Sequence, residues 1–363
     1  SFKRRNDRTM GEDMGGGKGS PPPQTEDAIE AGLRFLARYQ QPDGRWKLQG
    51  YGEETLLQSD TAATALALLA FQGADHQYKD VIRKGVEFLV KNQKENGDLF
   101  VPLDDKSNAS VWLYSHSIAT LALCEAYGMT QDASLKEPAQ KAVDFIVAGQ
   151  HKERGGWRYS PGIGSDTSVT GWMMMALKSG ELANLKVPKE TYDKITAWLN
   201  VSQQSQTQPH MYRYNPFAPD TAEQRHGRVA SKTMTSVGLL MRLYTGWKRD
   251  HVNMVAGANY LKENLPELGT AREPKRDSYY WYYGTQVMFH MGGDYWAAWN
   301  ARLHPMLIES QQQDGPHAGS WNPRAPVVEA YGTQAGRLYV TTMNLLSLEV
   351  YYRHLPLYED TAK

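Results

Sequence analysis

FLARYQQPDGRW, residues 35–46, carries an aromatic–aliphatic pair (Phe35-Leu36), a glutamine four residues later (Gln40), and a glycine followed by tryptophan (Gly44-Arg45-Trp46). The pair recurs as Phe88-Leu89, Phe145-Ile146, Trp198-Leu199, Tyr260-Leu261 and Met306-Leu307, about every 55 residues, which is the signature of a repeat architecture. Glutamine follows at the same offset as Gln93, Gln150, Gln203 and Gln311, and Leu265 stands there in the fifth copy. A glycine and a bulky residue close several copies, as in Gly97-Asp98-Leu99, Gly155-Gly156-Trp157 and Gly319-Ser320-Trp321.

Outward from this stretch each unit resolves into two helices. Upstream, Ile29, Gly32, Leu33, Leu36 and Tyr39 follow helical spacing, with Arg34 and Arg38 on the opposite face, and Pro42-Asp43-Gly44 ends the helix. Downstream, residues 62–71 (AATALALLAF) are apolar nearly all round, as are 118–124, 169–177, 237–243 and 343–348. A helix apolar on every side is buried on most of them. The first helices therefore make an outer ring and the second an inner one. One hairpin cannot bury its own inner helix, so the hairpins must stack, and closure removes both exposed ends. The expectation is an all-α (α/α)6 toroid of six helical hairpins spanning residues 27–363. An open solenoid is the competing arrangement.

Residues 1–26 read as a Gly/Pro-rich linker, because GEDMGGGKGSPPPQ (11–24) has too little apolar surface to offset its ordering entropy. Phe2-Lys3-Arg4-Arg5 fits either an ordinary solvated linker or the cytoplasmic flank of a membrane tether. No signal peptide is visible, which leaves a cytoplasmic or membrane-tethered, cytoplasm-facing location in view. Forty Lys+Arg balance 40 Asp+Glu among the 363 residues, which argues against a nucleic-acid partner. A lone cysteine, Cys124, excludes an intrachain disulfide and any two-thiolate zinc site. His290, His304 and His317 form no close pair on one helical face, so no metal and no cofactor is expected.

The segments 35–46, 145–157 and 306–321 resemble the QW repeats of squalene–hopene cyclases, in which glutamine and tryptophan stitch helix to loop. The resemblance covers nearly all of residues 28–358 and implies the toroid of terpenoid cyclases and protein prenyltransferases, in an uncharacterised bacterial branch. Class II cyclases carry Asp-x-Asp-Asp-Thr-Ala, whose middle aspartic acid protonates an alkene or epoxide. Here the matching stretch is Leu57-Gln58-Ser59-Asp60-Thr61-Ala62, with Ser59 in the donor's place, and Ser165 precedes Asp166-Thr167 in the same way. A serine hydroxyl is too weak an acid for that step. Prenyltransferases hold zinc with aspartate, cysteine and histidine, but Cys124 has Ala122 two residues before it and lies in an apolar helix.

Inner helices running the same way bring six N-termini to one mouth, which favours an anionic or polar ligand. Asp60, Asp166 and His116 are the candidate catalytic residues there: two carboxyls at inner-helix starts and a histidine one turn above the apolar stretch of the second inner helix. Trp112, Tyr114, Arg158, Trp172, Arg213, Tyr280, Tyr283 and Arg337 are the candidate ligand-binding residues, with aromatic faces for a cation or a sugar ring and guanidinium groups for an anion. Three functions remain open on these residues. One is a cavity enzyme of the terpenoid cyclase-like group, of unknown reaction, acting on an isoprenoid-like or other apolar small molecule without the cyclase acid. The second is a non-catalytic binding or scaffold module tethered to a membrane or another domain. The third is a carbohydrate-active toroid, which needs two carboxyls across a cleft.

Overall fold

The computed structural model describes residues 23–73 and 76–353. In chain order α1 (Pro23–Arg38) pairs with α2 (Asp60–Gly73), and α3 (Lys79–Lys91) with α4 (Asp105–Thr130). Next, α5 (Ala133–Ala148) pairs with α6 (Thr167–Leu182), and α7 (Lys189–Ser202) with α8 (Lys232–Tyr244). Last, α9 (Val252–Glu263) pairs with α10 (Ser278–Met291), α11 (Gly293–Ser310) with α12 (Gly332–Leu348), and one turn, α13 (Val350–Arg353), follows. Odd helices α1–α11 are the outer ring and even helices α2–α12 the inner ring. Every residue of α10 is buried, whereas α3 buries only Gly85, Val86, Phe88 and Leu89, the stripe that faces inward.

The repeated glutamine ties four of the six hairpins to the next. Gln40 Nε2 donates to Gly44 O (3.0 Å) and to Val81 O on α3 (2.9 Å). Gln93 donates to Gly97 O and to Pro138 O on α5, and Gln150 to Gly155 O and Thr191 O on α7. Gln311, in the sixth hairpin, donates to Gly319 O (2.8 Å) and to Ala28 O on α1 (2.8 Å). The last unit thus treats the first as its successor, and the ring is closed. Trp46, Trp157 and Trp321 each donate from Nε1 at 2.8 Å to a carbonyl in the last turn of an outer helix, those of Leu36, Ile146 and Leu307. Gln203 departs from the pattern and donates to Pro209 O in its own loop.

A second strut links five of the six loops to their inner helices. The backbone N–H of Trp46, Trp157, Tyr212 and Trp321 donates to the hydroxyl of Thr64, Thr170, Thr235 and Thr341 at 2.9–3.1 Å. In the second hairpin His116 takes the threonine's place: Leu99 N donates to its Nδ1 (3.1 Å), and Nε2 meets Ala142 O (3.1 Å). That is a satisfied buried histidine holding a loop, turned to the outer ring and away from the axis. His116→Leu strands the Leu99 N–H and the Ala142 carbonyl and costs about 2 kcal/mol, and His116→Thr recovers part of it. Thermal unfolding of the two variants checks this; equal losses would place the weight of His116 in its packing on Phe145.

The boundary of the toroid shifts. Pro23–Glu26, expected in the linker, form the first turn of α1, where Thr25 is buried and its hydroxyl bonds His304 of α11. The linker and tether readings for residues 1–22, and the toroid's expected last residues 354–363, lie outside the described residues. Among the described residues no helix is long and apolar enough to cross a membrane.

Candidate functional site

Asp166 is the most heavily built position at the inner-helix N-terminal mouth. It caps α6: Oδ1 accepts Val169 N at 2.7 Å. Its Oδ2 accepts Tyr214 OH (3.0 Å), Tyr214 OH in turn lies 2.6 Å from Tyr159 OH, and Arg158 Nε stands 3.8 Å from Oδ2. Complete burial raises the Asp166 carboxyl to about 7, against the pull of the Val169 N–H, Tyr214 and Arg158. The Arg158 guanidinium lies 4.9 Å from the Tyr159 ring centre and keeps 27% of its side chain exposed, a charged lip over a buried acid. Asp60 is built differently. Ser59 Oγ caps α2 by accepting Ala62 N, and the Asp60 carboxylate turns to Arg45 Nε at 3.3 Å. Its pKa rises by burial, with Arg45 opposing. Unlike Asp166, Asp60 leaves the cap of its inner helix to the preceding residue, Ser59.

Just inside the mouth the lumen is bridged. Tyr114 OH of α4 donates to Ser168 Oγ of α6 (2.7 Å), which bonds Tyr279 OH of α10 (2.7 Å). One turn deeper Trp172 of α6 stacks on Tyr282 of α10, with centroids 5.6 Å apart and planes 17° apart. Helices α6 and α10 are separated by α8 in the ring, so these contacts span the lumen between next-nearest helices. Trp172, Met173, Met174, Tyr282 and Tyr283 are each at most 2% exposed and present no free face. The apolar chamber expected here is filled with the chain's own side chains, and the polar surface lies above it.

The other expected ligand residues divide accordingly. Tyr114 and Arg158 stand at the mouth. Trp172 and Tyr283 are core. Tyr280 points to the outer ring, donating to Asn264 O (2.7 Å) and meeting Trp299 edge-on. Arg213 occupies the same place in its repeat as Arg158, yet donates to Val201 O at the end of α7. Arg337 is committed to Glu53, Gln312 and Ser320. Trp112 donates to Asp98 and stacks on Phe100. The residues that complete the mouth, Tyr159, Tyr214, Ser168, Tyr279 and Tyr331, were not singled out. Tyr159 and Tyr214 each stand two residues after the bulky member of their loop, a repeat equivalence that points to them.

A cleft of about 420 Å³ adjoins the mouth, lined by Lys232, Arg276, Asp277, Glu329 and Thr333 among others. Glu329 accepts Ser278 N and Tyr331 N, Asp277 accepts Tyr280 N, and together they cap α10. Burial, then the nearby Asp277 charge, raises Glu329 to about 7. Among the described residues no cluster of three His, Cys, Asp or Glu has the arrangement of a metal site. Cys124 is fully buried, with its thiol pushed far up by desolvation. Carboxyls that titrate near neutrality beside phenols can move a proton to or from a hydroxyl or carbonyl.

A family model of the squalene-hopene cyclase C-terminal domain matches residues 18–101. Lanosterol synthase erg7A of Aspergillus fumigatus is 28% identical over 131 residues, which is 36% of this chain and 17% of the synthase. Among solved structures, the type II terpene cyclase MstE from Scytonema superposes with a TM-score of 0.59 at 14% identity, covering 92% of this chain and 99% of that one. An α-1,6-mannanase of Salegentibacter sp. HEL1_6 superposes with a TM-score of 0.63 at 12% identity, covering 90% and 99%. At these identities the structural likenesses carry the fold.

Proposed function

We propose that this chain, a toroid of the terpenoid cyclase superfamily, is a binding module that takes the polar or anionic head of an isoprenoid-like small molecule at the mouth beside Arg158 and Asp166. The observation that carries this reading is the Trp172–Tyr282 stack within the lumen. It removes the tunnel a cyclase needs to fold its substrate, while the Arg158 guanidinium, 27% exposed, remains at the surface as a donor to an anion. An apolar tail then lies over the tyrosine rings of the mouth and not down the lumen. Ser59 and Ser165 in place of the alkene-protonating acid support binding without cyclisation. Ser59 is bonded to Ser115 (2.7 Å), and Ser165 Oγ is buried without a partner.

Farnesyl phosphate, farnesol and mannotriose, titrated separately against the protein in a thermal-shift experiment, test this reading. Farnesyl phosphate raises the unfolding temperature saturably, farnesol does so at least tenfold more weakly, and Arg158→Ala removes the difference. Equal binding of farnesol and farnesyl phosphate contradicts it. Saturable binding of mannotriose favours a second reading, carbohydrate recognition. That reading is supported by the open face of Tyr331 (41% exposed) beside Glu329, a carboxyl raised to about 7.

A further inference from the structure

The opposite end of the lumen is closed by the chain itself. Arg353, on the single turn α13, is 4% exposed. Its Nη2 donates to both carboxylate oxygens of Glu125 on α4 (2.9 and 2.8 Å), and Nη1 donates to Leu69 O on α2. Because α13 packs against α10 and α12, this one guanidinium spans from one side of the ring to the other. The chamber it enters is polar. On α4, His116 meets the outer helix, so Glu125, nine residues on and half a turn away, faces the axis. By the same phase Ser179 faces inward opposite Thr170, and Gln286 opposite Gly284, whose missing side chain makes room for Trp299 of the outer ring. Ser179 Oγ and Gln286 Oε1 are buried and lack a hydrogen-bond partner, as does Arg353 Nε.

Unpaired polar atoms this deep are rare in folded proteins, and Ser179 and Gln286 face the same lumen as the Glu125–Arg353 pair. A buried ion pair whose surroundings are incompletely satisfied contributes little net stability. One turn of helix does not hold itself in place. We propose that the base of the lumen is a binding site for a guanidinium or ammonium group on a small molecule, and that Arg353 fills it in cis. A ligand with the same charge and further donors takes the acceptors of Glu125, Gln286 and Ser179 and displaces α13. The site is separate from the mouth and does not depend on how the mouth is read.

Agmatine is the probe. In the full chain carrying Arg353→Ala, agmatine raises the unfolding temperature saturably, and the added change Glu125→Gln weakens that binding at least tenfold. In the unchanged protein, agmatine speeds amide hydrogen exchange over residues 349–353 and leaves the mouth helices unaffected. If Arg353→Ala fails to fold, Arg353→Lys serves, since its smaller ammonium leaves part of the acceptor set open to the same titration. An effect that survives Glu125→Gln overturns the proposal. So does a lack of saturable response in the Arg353 variants, or exchange over 349–353 that agmatine does not change.

Discussion

Gly319→Ala lowers the stability of the ring by about 3 kcal/mol or more, as much as Gly97→Ala does inside the chain. Gly319 has φ +92° and a Cβ added there lies 2.1 Å from Ala31 O on α1. Gly97 has φ +92° and its Cβ would lie 2.1 Å from Lys141 O on α5. Both substitutions combine the left-handed backbone cost of a non-glycine residue with a collision against backbone that cannot rotate away. At interior positions the clash separates neighbouring hairpins. At Gly319 it separates the last hairpin from the first, which matters only if those two are joined. In an open superhelix Gly319→Ala would cost about 1 kcal/mol, the conformational part alone. Denaturant melts of the two variants side by side measure the difference.

Asp166→Asn reverses sign with pH. The Asp166 carboxyl titrates near 7 in the folded chain because burial disfavours its charge, and near 4 when unfolded. Below pH 4 both states hold the proton and its contribution to stability is full. Between 4 and 7 the unfolded state releases the proton first, so stability falls as pH rises, by about 4 kcal/mol in total. Asparagine keeps an oxygen for the Val169 N–H and has no charge to desolvate. The variant therefore matches or slightly trails the natural protein at pH 4 and exceeds it at pH 8 by a few kcal/mol. Glu329 moves in the same direction and leaves a shallower slope in the variant. Thermal melts across that range check it. Parallel curves for the two proteins would mean that Asp166 is not a desolvated acid.

The frame was legible in the sequence because it repeats. Gln40, Gln93, Gln150 and Gln311 make the same pair of bonds, and a spacing that recurs in the chain becomes a contact that recurs in space. His116 shows what repetition adds. Alone it reads as a possible acid or base, but aligned with Thr64, Thr170, Thr235 and Thr341 it is a loop strut. The filling of the lumen was not legible. Whether Trp172 and Tyr282 line a tunnel or close it depends on the radius of the ring and on two rotamers, and neither is encoded by spacing. Tyr280 and Tyr283 lie in one aromatic run, yet helical phase sends the first outward and the second inward. The split between Arg158 and Arg213 has the same origin: equivalent backbone positions, with Asp166 near one and the α7 carbonyls near the other. The Glu125–Arg353 pair joins residues far apart in the chain and has no local signal.

Closure of the ring is most directly measured as a distance between its first and last hairpins. Cys124 is fully buried, so spin labels placed on Arg38→Cys and Asp314→Cys, both on exposed positions, report with little background. In the closed ring Arg38 reaches Ala318 O at 2.9 Å, and neighbouring helices lie roughly 10 Å apart. The dipolar distance between the labels is then short and narrowly distributed, about 20 Å once their tethers are added to that spacing. A broad distribution centred beyond about 40 Å, several helix spacings away, would mean that the two ends never meet and that the chain has no enclosed axis.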